Sequence, residues 1–303
     1  MQIYLPIAEV PVDALLLLAL GGAVGILAGM FGVGGGFLAT PLLIFVGIPP
    51  AVAVATQANQ IVASSVSGVL AHWRRGNVDV RMGMVLLTGG FVGSTLGVFI
   101  FQLLSALGQI DLVINISYVV LLTVIGLLLV SEGTRALLRR RRRVKRGKLH
   151  VHTWLHGLPL KLRFRKSRLY ISAILPLGIG VIVGILSATM GIGGGFILVP
   201  LMIYLLGMPT NVVIGTSLFQ TIFVAANVTF LQAVQNQTVD VVLAMILTFG
   251  SVIGAQYGTR LAARLPADAL RIMFGVIILA LSVAMVMELV LPPVDIYVLD
   301  TRG

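Results

Sequence analysis

A cluster of glycines occurs twice in the chain, each time inside a long apolar run. Residues 29–37 read Gly-Met-Phe-Gly-Val-Gly-Gly-Gly-Phe, and residues 188–196 read Ala-Thr-Met-Gly-Ile-Gly-Gly-Gly-Phe. Glycine inside a helix costs about 1 kcal/mol relative to alanine, and a proline follows each cluster, at Pro41 and Pro200. The pattern predicts that the backbone breaks at both clusters, as in transporters built from discontinuous helices. Close helix packing through small residues is the alternative, but packing does not require three consecutive glycines.

The composition around these clusters is that of a polytopic membrane protein. Hydrophobic residues make up 58% of the 303 residues and charged residues only 10%, whereas a soluble domain is about 25% charged. Each half contains five predicted apolar segments. They lie at about 12–31, 36–47, 51–73, 82–104 and 112–131, and at about 171–190, 195–207, 211–233, 239–262 and 269–291. The second segment of each half is too short for a comfortable span of about 20 residues, so a half-helix or a strongly tilted helix is expected there.

Basic residues predict the orientation of these segments. Fourteen of the 21 Lys and Arg residues lie within 135–168, and cytoplasmic loops collect such residues. Two further loops are basic, one flanked by Arg74, Arg75 and Arg81 and the other by Arg260, Arg264 and Arg271. If these loops are cytoplasmic and both termini are periplasmic, the two halves run in opposite senses. The sequence therefore predicts an all-α polytopic membrane protein with two inverted-topology repeats, each with a glycine-broken helix and a short half-helix: residues 1–131 and 171–303, joined by a basic linker at 132–170.

The linker, whose residues 132–168 are predicted to be cytoplasmic, contains an alternating pattern of apolar and basic or histidine residues. The apolar members are Leu149, Val151, Leu160, Leu162 and Phe164. Around Gly157 and Pro159 this pattern predicts a short surface hairpin with one face toward the membrane. Anionic lipid headgroups are the expected partners of residues 135–168, and nucleic acid is not, because few aromatic residues are interleaved.

Three histidines in the linker are candidates for a metal site. They are His150, His152 and His156. Residues 135–168 contain no Asp, Glu or Cys that would complete such a site, so solvated or headgroup-facing histidines are expected instead. We expect no metal and no cofactor.

Polar side chains recur at matched positions on the third segment of each half. They are Thr56, Gln60, Ser64 and Ser67 and, 160 residues later, Thr216, Gln220 and Asn227. Their spacing places them on one helix face. Interhelical hydrogen bonds, worth about 0.6 kcal/mol on average in membranes, are the alternative role. Two amide-rich faces near two broken helices favour a substrate pathway, with these candidate binding residues: Gly34, Gly35, Gly36, Thr56, Gln57, Asn59, Gln60, Gly193, Gly194, Gly195, Thr216, Ser217 and Gln220.

Charged residues are absent from the interior of the predicted segments, and Glu288, near a helix end, is the nearest exception. A buried anion would then be held by half-helix N-termini, which carry about half a positive charge, and by amides and hydroxyls. A divalent metal would require carboxylates, and an intramembrane enzyme would require a nucleophile, a base or a metal cluster. The pattern therefore favours an anion transporter over an enzyme, and a channel built from similar parts stays open.

Together these motifs resemble those of the sulfite exporter TauE/SafE family. The resemblance rests on the doubled Gly-x-Gly-Gly-Gly-Phe motif with its following proline, on the Ala-Thr start of the third segment and on a matched glycine ladder. The ladder consists of Gly89, Gly93 and Gly97, answered by Gly250, Gly254 and Gly258. The resemblance covers about 20–131 and 171–291. It implies a multi-pass secondary transporter of the bacterial inner membrane that moves a small sulfur-containing or organic anion, such as sulfite, thiosulfate or sulfoacetate, by alternating access. A channel, or a carrier of another small solute with the same fold, is the alternative.

Overall fold

A computed structural model describes residues 2–31, 35–141, 160–164, 166–167, 169–262 and 267–290. Within these residues the chain forms ten α-helices and two β-hairpins. The first half contains β1 (Gln2–Leu5), β2 (Val10–Asp13), α1 (Ala14–Phe31), α2 (Gly36–Phe45), α3 (Pro50–Arg74), α4 (Val80–Ala106) and α5 (Ile110–Arg141). The second half contains β3 (Lys161–Phe164), β4 (Leu169–Ser172), α6 (Ile174–Met190), α7 (Gly195–Tyr204), α8 (Thr210–Leu231) with a π-helical turn (Gln232–Asn236), α9 (Val241–Ala262) and α10 (Ala267–Val290).

The helices are apolar enough for a membrane. In the described part of the chain, five stretches are long and apolar enough to cross one: Val80–Ala106, Ile110–Arg135, Val212–Asn236, Val241–Gly258 and Ile272–Val290. The predicted all-α polytopic membrane class is confirmed. Helices α2 and α7 have 10 residues each, which is about 15 Å of helix and half of a hydrocarbon core about 30 Å thick. They have the length of half-helices, as predicted.

Two helix ends differ from the sequence prediction. Helix α5 continues to Arg141, ten residues into the region that was predicted to be linker, because the Ala, Leu and Arg residues there are good helix formers. Helix α1 begins at Ala14 rather than at residue 12, because the Asp13 carboxylate accepts a hydrogen bond from the Leu15 amide (2.8 Å). Aspartate in this position favours a helix start.

A β-hairpin directly precedes the first helix of each half. Strands β1 and β2 pair antiparallel with Gln2 opposite Asp13, and β3 and β4 pair with Lys161 opposite Ser172. The sequence patterns did not predict the first hairpin. Because both hairpins stand at the same place in their repeats, they belong to the repeated unit rather than to the termini or the linker.

The described part of the linker forms a hairpin with the segment that follows it. The partner of β3 is β4, on its C-terminal side. The residues between the two strands include no glycine or proline, the usual turn signals, but they include Ser167, which bonds to a distant helix start. The predicted turn around Gly157 and Pro159 lies outside the described residues. Leu149, Val151 and the three histidines of the predicted metal alternative lie outside the described residues.

Contacts divide the chain into two compact units. The first comprises Met1–Asp111 and Lys145–Pro266, and the second comprises Leu112–Val144 and Ala267–Gly303. In the described part of the second unit, α5 packs on α10, where the Thr123 and Ser282 hydroxyls form a 2.7 Å hydrogen bond.

In the first unit, helices pair across the two halves along rows of glycines. Gly21, Gly25 and Gly29 of α1 lie against Leu247, Ser251 and Ala255 of α9. In the same way, Gly89, Gly93 and Gly97 of α4 lie against Leu177, Val181 and Ile185 of α6. Residue numbers rise together in both pairs, so both pairs are parallel. The glycine ladder therefore serves close helix packing, because a Cβ atom at these positions would overlap with the neighbouring backbone.

Helices α3 and α8, the third helices of the two halves, run antiparallel. Gly68, near the end of α3, packs against Leu218, near the start of α8. The start of α3 lies instead beside the start of α9, which follows α8: the Thr56 hydroxyl accepts a hydrogen bond from the Asp240 amide (3.0 Å). The third helices of the two halves are thus paired with opposite directions.

Candidate functional site

The backbone is broken at both glycine clusters. Helix α6 ends at Met190, and Gly191, Gly193 and Gly194 follow with φ of 67°, 73° and 73° before α7 begins. In the first half, Gly35 has φ of 74° and stands immediately before α2. Glycine adopts this left-handed conformation without the steric cost that other residues incur. The predicted breaks are present, although Gly34 lies outside the described residues.

After each break the chain folds back along the helix it has just left. A Cβ atom on Gly35 would lie 2.9 Å from Cβ of Ala28 and 3.2 Å from Cγ1 of Val24. A Cβ atom on Gly194 would lie 2.9 Å from Cγ1 of Val183, the residue equivalent to Val24. Both glycines are therefore required by space as well as by backbone conformation.

The two breaks meet each other. The Phe37 and Phe196 rings, the last residues of the two motifs, stack with centroids 4.1 Å apart and planes 4° apart. A Cβ atom on Gly36 would lie 3.0 Å from the carbonyl oxygen of Gly191, and the Ile61 side chain from α3 contacts both Gly36 and Gly193. Five residues of the two motifs and one apolar side chain of α3 thus form a single cluster in the first unit.

The N-termini of α2 and α7 start in this cluster. Their N-cap residues are Gly35 and Gly194, so no side chain caps either helix. The carbonyl of Gly194 accepts a hydrogen bond from the Leu198 amide (2.8 Å), and the carbonyl of Gly35 accepts one from the Ala39 amide (3.3 Å). Uncapped helix N-termini carry partial positive charge and suit anions.

The amides of the first half satisfy each other in part. Gln57 and Gln60 are both buried on α3, and Nε2 of Gln57 donates a 2.6 Å hydrogen bond to Oε1 of Gln60. The remaining oxygen, Oε1 of Gln57, is buried and has no hydrogen-bond partner in the described structure. Asn59 differs from both, because its side chain is exposed.

The amide of the second half is unpaired. Gln220 on α8 is 1% exposed, and within the described residues neither Nε2 nor Oε1 has a hydrogen-bond partner. Ser217, which takes the place of Gln57, bonds to the Ile214 carbonyl instead (3.0 Å). A buried polar group without a partner costs about 1–3 kcal/mol, and such groups in folded proteins require an explanation such as a ligand or a functional role.

A second unpaired group follows directly in the sequence. The Thr221 hydroxyl is buried (2% exposed) and also has no partner in the described part of the chain. Thr221 is the repeat equivalent of Ile61, which contacts the glycines of both motifs. The sequence patterns missed Thr221, because they select positions that are polar in both halves and the counterpart of Thr221 is the apolar Ile61.

Thr56 and Thr216, two predicted site residues, form hydrogen bonds to the residues that cap two other helices. The Thr216 hydroxyl accepts a hydrogen bond from the Asp79 amide (3.0 Å), as the Thr56 hydroxyl does from Asp240. The Asp79 carboxylate accepts from the Met82 amide (3.2 Å) and caps α4. The Asp240 carboxylate caps α9 in the same way, through the amides of Val242 and Leu243.

The same two carboxylates also fasten the hairpins. Oδ2 of Asp79 accepts from the amide and the hydroxyl of Ser167 (2.9 and 2.6 Å), in the β3–β4 turn. Oδ2 of Asp240 accepts from the Ile7 amide (3.1 Å), in the β1–β2 turn. The sequence signal was available: both aspartates precede an apolar helical run at matched positions, and aspartate favours N-caps.

Other residues of the predicted polar faces contribute to packing. Nδ2 of Asn227 donates to the hydroxyls of Ser94 (2.9 Å) and Thr95 (3.3 Å) on α4, and the Ser64 hydroxyl bonds to the Ile61 carbonyl of its own helix. Interhelical hydrogen bonding, the alternative role, describes Asn227. The side chain of Ser67 lies outside the described part of the structure.

Comparison with known proteins gives consistent matches. Residues 17–285 match the family described as sulfite exporter TauE/SafE. The chain is 30% identical over 267 residues to a protein of Xylella fastidiosa named "Probable membrane transporter protein", covering 87% of this chain and 91% of that one. It is 29% identical over 266 residues to "Probable membrane transporter protein YjnA" of Bacillus subtilis, covering 87% and 96%. No solved structure matches the chain significantly.

Proposed function

Because this chain belongs to the sulfite exporter TauE/SafE family, we propose that it is a secondary transporter for a small sulfur-containing or organic anion of the sulfite, thiosulfate or sulfoacetate class. Transport proceeds by alternating access and involves no enzymatic step. The observation that carries the proposal is the fully buried Gln220 amide without a partner, on the helix next to the broken segments. A bound substrate would supply the missing partner.

The chemistry of the described groups favours an anion. Nε2 of Gln220 and the hydroxyl of Thr221 can both donate hydrogen bonds to an oxyanion. The uncapped N-termini of α2 and α7 add partial positive charge, and the described residues of these half-helices contain no charged side chain. An anion held only by dipoles binds weakly, so a co-transported proton or the dipoles themselves must neutralise it.

The helix arrangement supports the inverted-repeat topology. Helices α3 and α8 are equivalent in sequence and antiparallel. Two further pairs each combine a helix of the first half with a helix of the second half: α1 packs on α9, and α4 packs on α6. Inverted repeats in transporters place the substrate at the repeat interface near the midplane. In this protein the stacked Phe37 and Phe196 rings mark such an interface.

The proposed orientation in the bacterial inner membrane places both termini in the periplasm and residues 132–168 in the cytoplasm. It follows from the basic loops. The chain has no cysteine, so single cysteines report on one position each. In intact cells an impermeant thiol reagent should label exposed Leu107→Cys, in the α4–α5 loop, but not exposed Arg163→Cys. Labelling of Arg163→Cys from outside contradicts the orientation. Ser167 does not suit this test, because it is buried.

Counterflow in proteoliposomes tests the transport proposal. Vesicles are loaded with unlabelled sulfite, thiosulfate or sulfoacetate, and the uptake of labelled anion is followed over time. A carrier exchanges the two pools, and the label accumulates transiently above equilibrium. A channel gives uptake without this overshoot, and either that result or no uptake of any of the three anions rejects the proposal.

A further inference from the structure

A cleft lies beside the junction of α4 with the β3–β4 hairpin. It has a volume of about 350 Å³ and is lined by Asp79, Val80, Arg81 and Lys166. This volume falls at the lower end of the range of about 300–1,000 Å³ for ligand pockets. Val80, Arg81 and Lys166 are exposed, while Asp79 is 4% exposed. All four residues belong to the first compact unit.

The cleft presents positive charge. The Asp79 carboxylate is already occupied, because Oδ1 accepts from Met82 and Oδ2 accepts from Ser167. Arg81 and Lys166 make no ion pair within the described residues. Two backbone amides near the start of α4 are also used, since Met82 donates to the Asp79 carboxylate and Gly83 donates to the Asp79 carbonyl (2.8 Å). Among the described residues that line the cleft, Arg81 and Lys166 are the charged side chains left to recognise a ligand.

The equivalent junction in the other half carries no such charge. There Asp240 is followed by Val241 and Val242, so valine stands where Arg81 stands in the first half. The hairpin contribution is the backbone amide of Ile7. Helix capping is the same at both junctions, and capping therefore does not explain the cations. The cations therefore stand at one junction only, the one that the basic loops predict to be cytoplasmic.

We propose that the Arg81–Lys166 cleft binds a free oxyanion, of the sulfonate or sulfite type, as a first docking site on the way to the buried site. The identity of the anion rests on the proposed function. Arginine binds planar and tetrahedral oxyanions through two parallel hydrogen bonds, and lysine adds a mobile point charge. A mouth of one charge sign also raises the local concentration of the oppositely charged solute. Under the proposed topology this mouth faces the cytoplasm.

The cysteine-free chain allows a direct test without transport. Val80→Cys and its repeat equivalent Val241→Cys are prepared separately in nanodiscs of neutral phosphatidylcholine. Each is labelled with anionic 2-sulfonatoethyl and cationic 2-trimethylammonioethyl methanethiosulfonate, and the ratio of the two rates is compared. Two nearby cations should make the anionic-to-cationic ratio about tenfold higher at position 80 than at position 241. Sulfoacetate, which does not react with thiols, should slow labelling at position 80 only.

Charge variants complete the test. Arg81→Gln with Lys166→Gln should lower the ratio at position 80 to about that at position 241, whereas Arg81→Lys with Lys166→Arg should keep it high, which controls for folding. Equal ratios at both positions in the parent chain, or no protection by sulfoacetate, overturn the proposal. If phosphatidylglycerol in the nanodisc slows labelling at position 80 and sulfoacetate does not, the cleft binds a lipid headgroup, and this result also overturns the proposal. The labelling result does not depend on counterflow, so the two proposals fail separately.

Discussion

The third helix of the first half and that of the second half share their structural contacts but differ in their polar groups. Thr56 and Thr216 make the same hydrogen bond to the start of a helix in the opposite half. C-terminal to these threonines, the two helices differ in how their amide side chains are hydrogen-bonded. In α3 the Gln57 and Gln60 amides pair with each other, whereas in α8 Gln220 has no partner among the described residues. The threonine hydrogen bonds to helix starts are thus present in both halves, whereas an amide without a described partner is present at Gln220 in the second half.

A second difference follows at the next position. Ile61 contacts Gly36 and Gly193 and fills the space between the two motifs, while its equivalent, Thr221, carries a buried hydroxyl without a partner in the described structure. At these two positions the second half has unused hydrogen-bonding groups, Gln220 and Thr221, whereas the first half has a paired glutamine and an apolar side chain. Oε1 of Gln57 and the Ser65 hydroxyl on α3 are also buried without a partner in the described structure. We infer that the two halves contribute unequally at the level of Gln220.

Substitution of a glycine at the break should have the largest effect. Gly194→Leu places a side chain within 3 Å of Val183 and costs about 1–2 kcal/mol for the left-handed backbone. We expect transport to be lost while membrane insertion persists, and the same for Gly35→Leu. Gly207→Leu is the matched control, because Gly207 also has a positive φ (71°) but no neighbour within 4 Å. Normal transport by both break variants would show that these glycines serve packing only.

Glutamate substitutions should separate the two halves by a smaller margin. Gln220→Glu removes the Nε2 donors and, when ionised, puts a negative charge where no described group compensates it, so uptake of an anion should fall by about tenfold or more, which corresponds to about 1.4 kcal/mol. Gln60→Glu should reduce uptake less, because Nε2 of Gln57 already donates to that position. Exposed Gln235 provides the control variant Gln235→Glu. Initial uptake rates in proteoliposomes measure all three, and equal losses at 60 and 220 would argue for a symmetric site.

The smallest expected effect concerns Thr221. Thr221→Val removes an unpaired buried hydroxyl at nearly constant volume, so it should stabilise the substrate-free protein by about 1 kcal/mol and slow transport a few-fold. Ile61→Val in the other half should instead destabilise the protein by about 0.5–1.5 kcal/mol through a lost methylene. Thermal unfolding in detergent compares the two. A destabilised Thr221→Val variant would mean that the hydroxyl has a partner in the protein.

Sequence patterns predicted the class of fold, the two breaks and the matched polar positions, because hydrophobic periodicity and glycine clusters act locally. The hydrogen bonds that attach the hairpins to helix starts could not be predicted from local patterns. Asp79 and Ser167 are 88 positions apart, and Asp240 and Ile7 are 233 apart, so neither partner is visible in the sequence near the other. For the same reason the sequence ranked Gln60 and Gln220 as equal candidates. Only the surroundings of each amide distinguish the paired one from the unpaired one.

Because helices of the first half pack against helices of the second half, their contacts can form only late in synthesis. The glycine row of α1 packs against α9, whose residue Leu247 is synthesised about 225 residues after Gly21. At translation rates of about 5–20 residues per second, α1 is in place for roughly 10–45 s before its partner helix exists. Helix α4 waits for α6 for less than half that time. The first half therefore emerges with an open glycine groove that lipid or an insertase must cover until the last helices arrive.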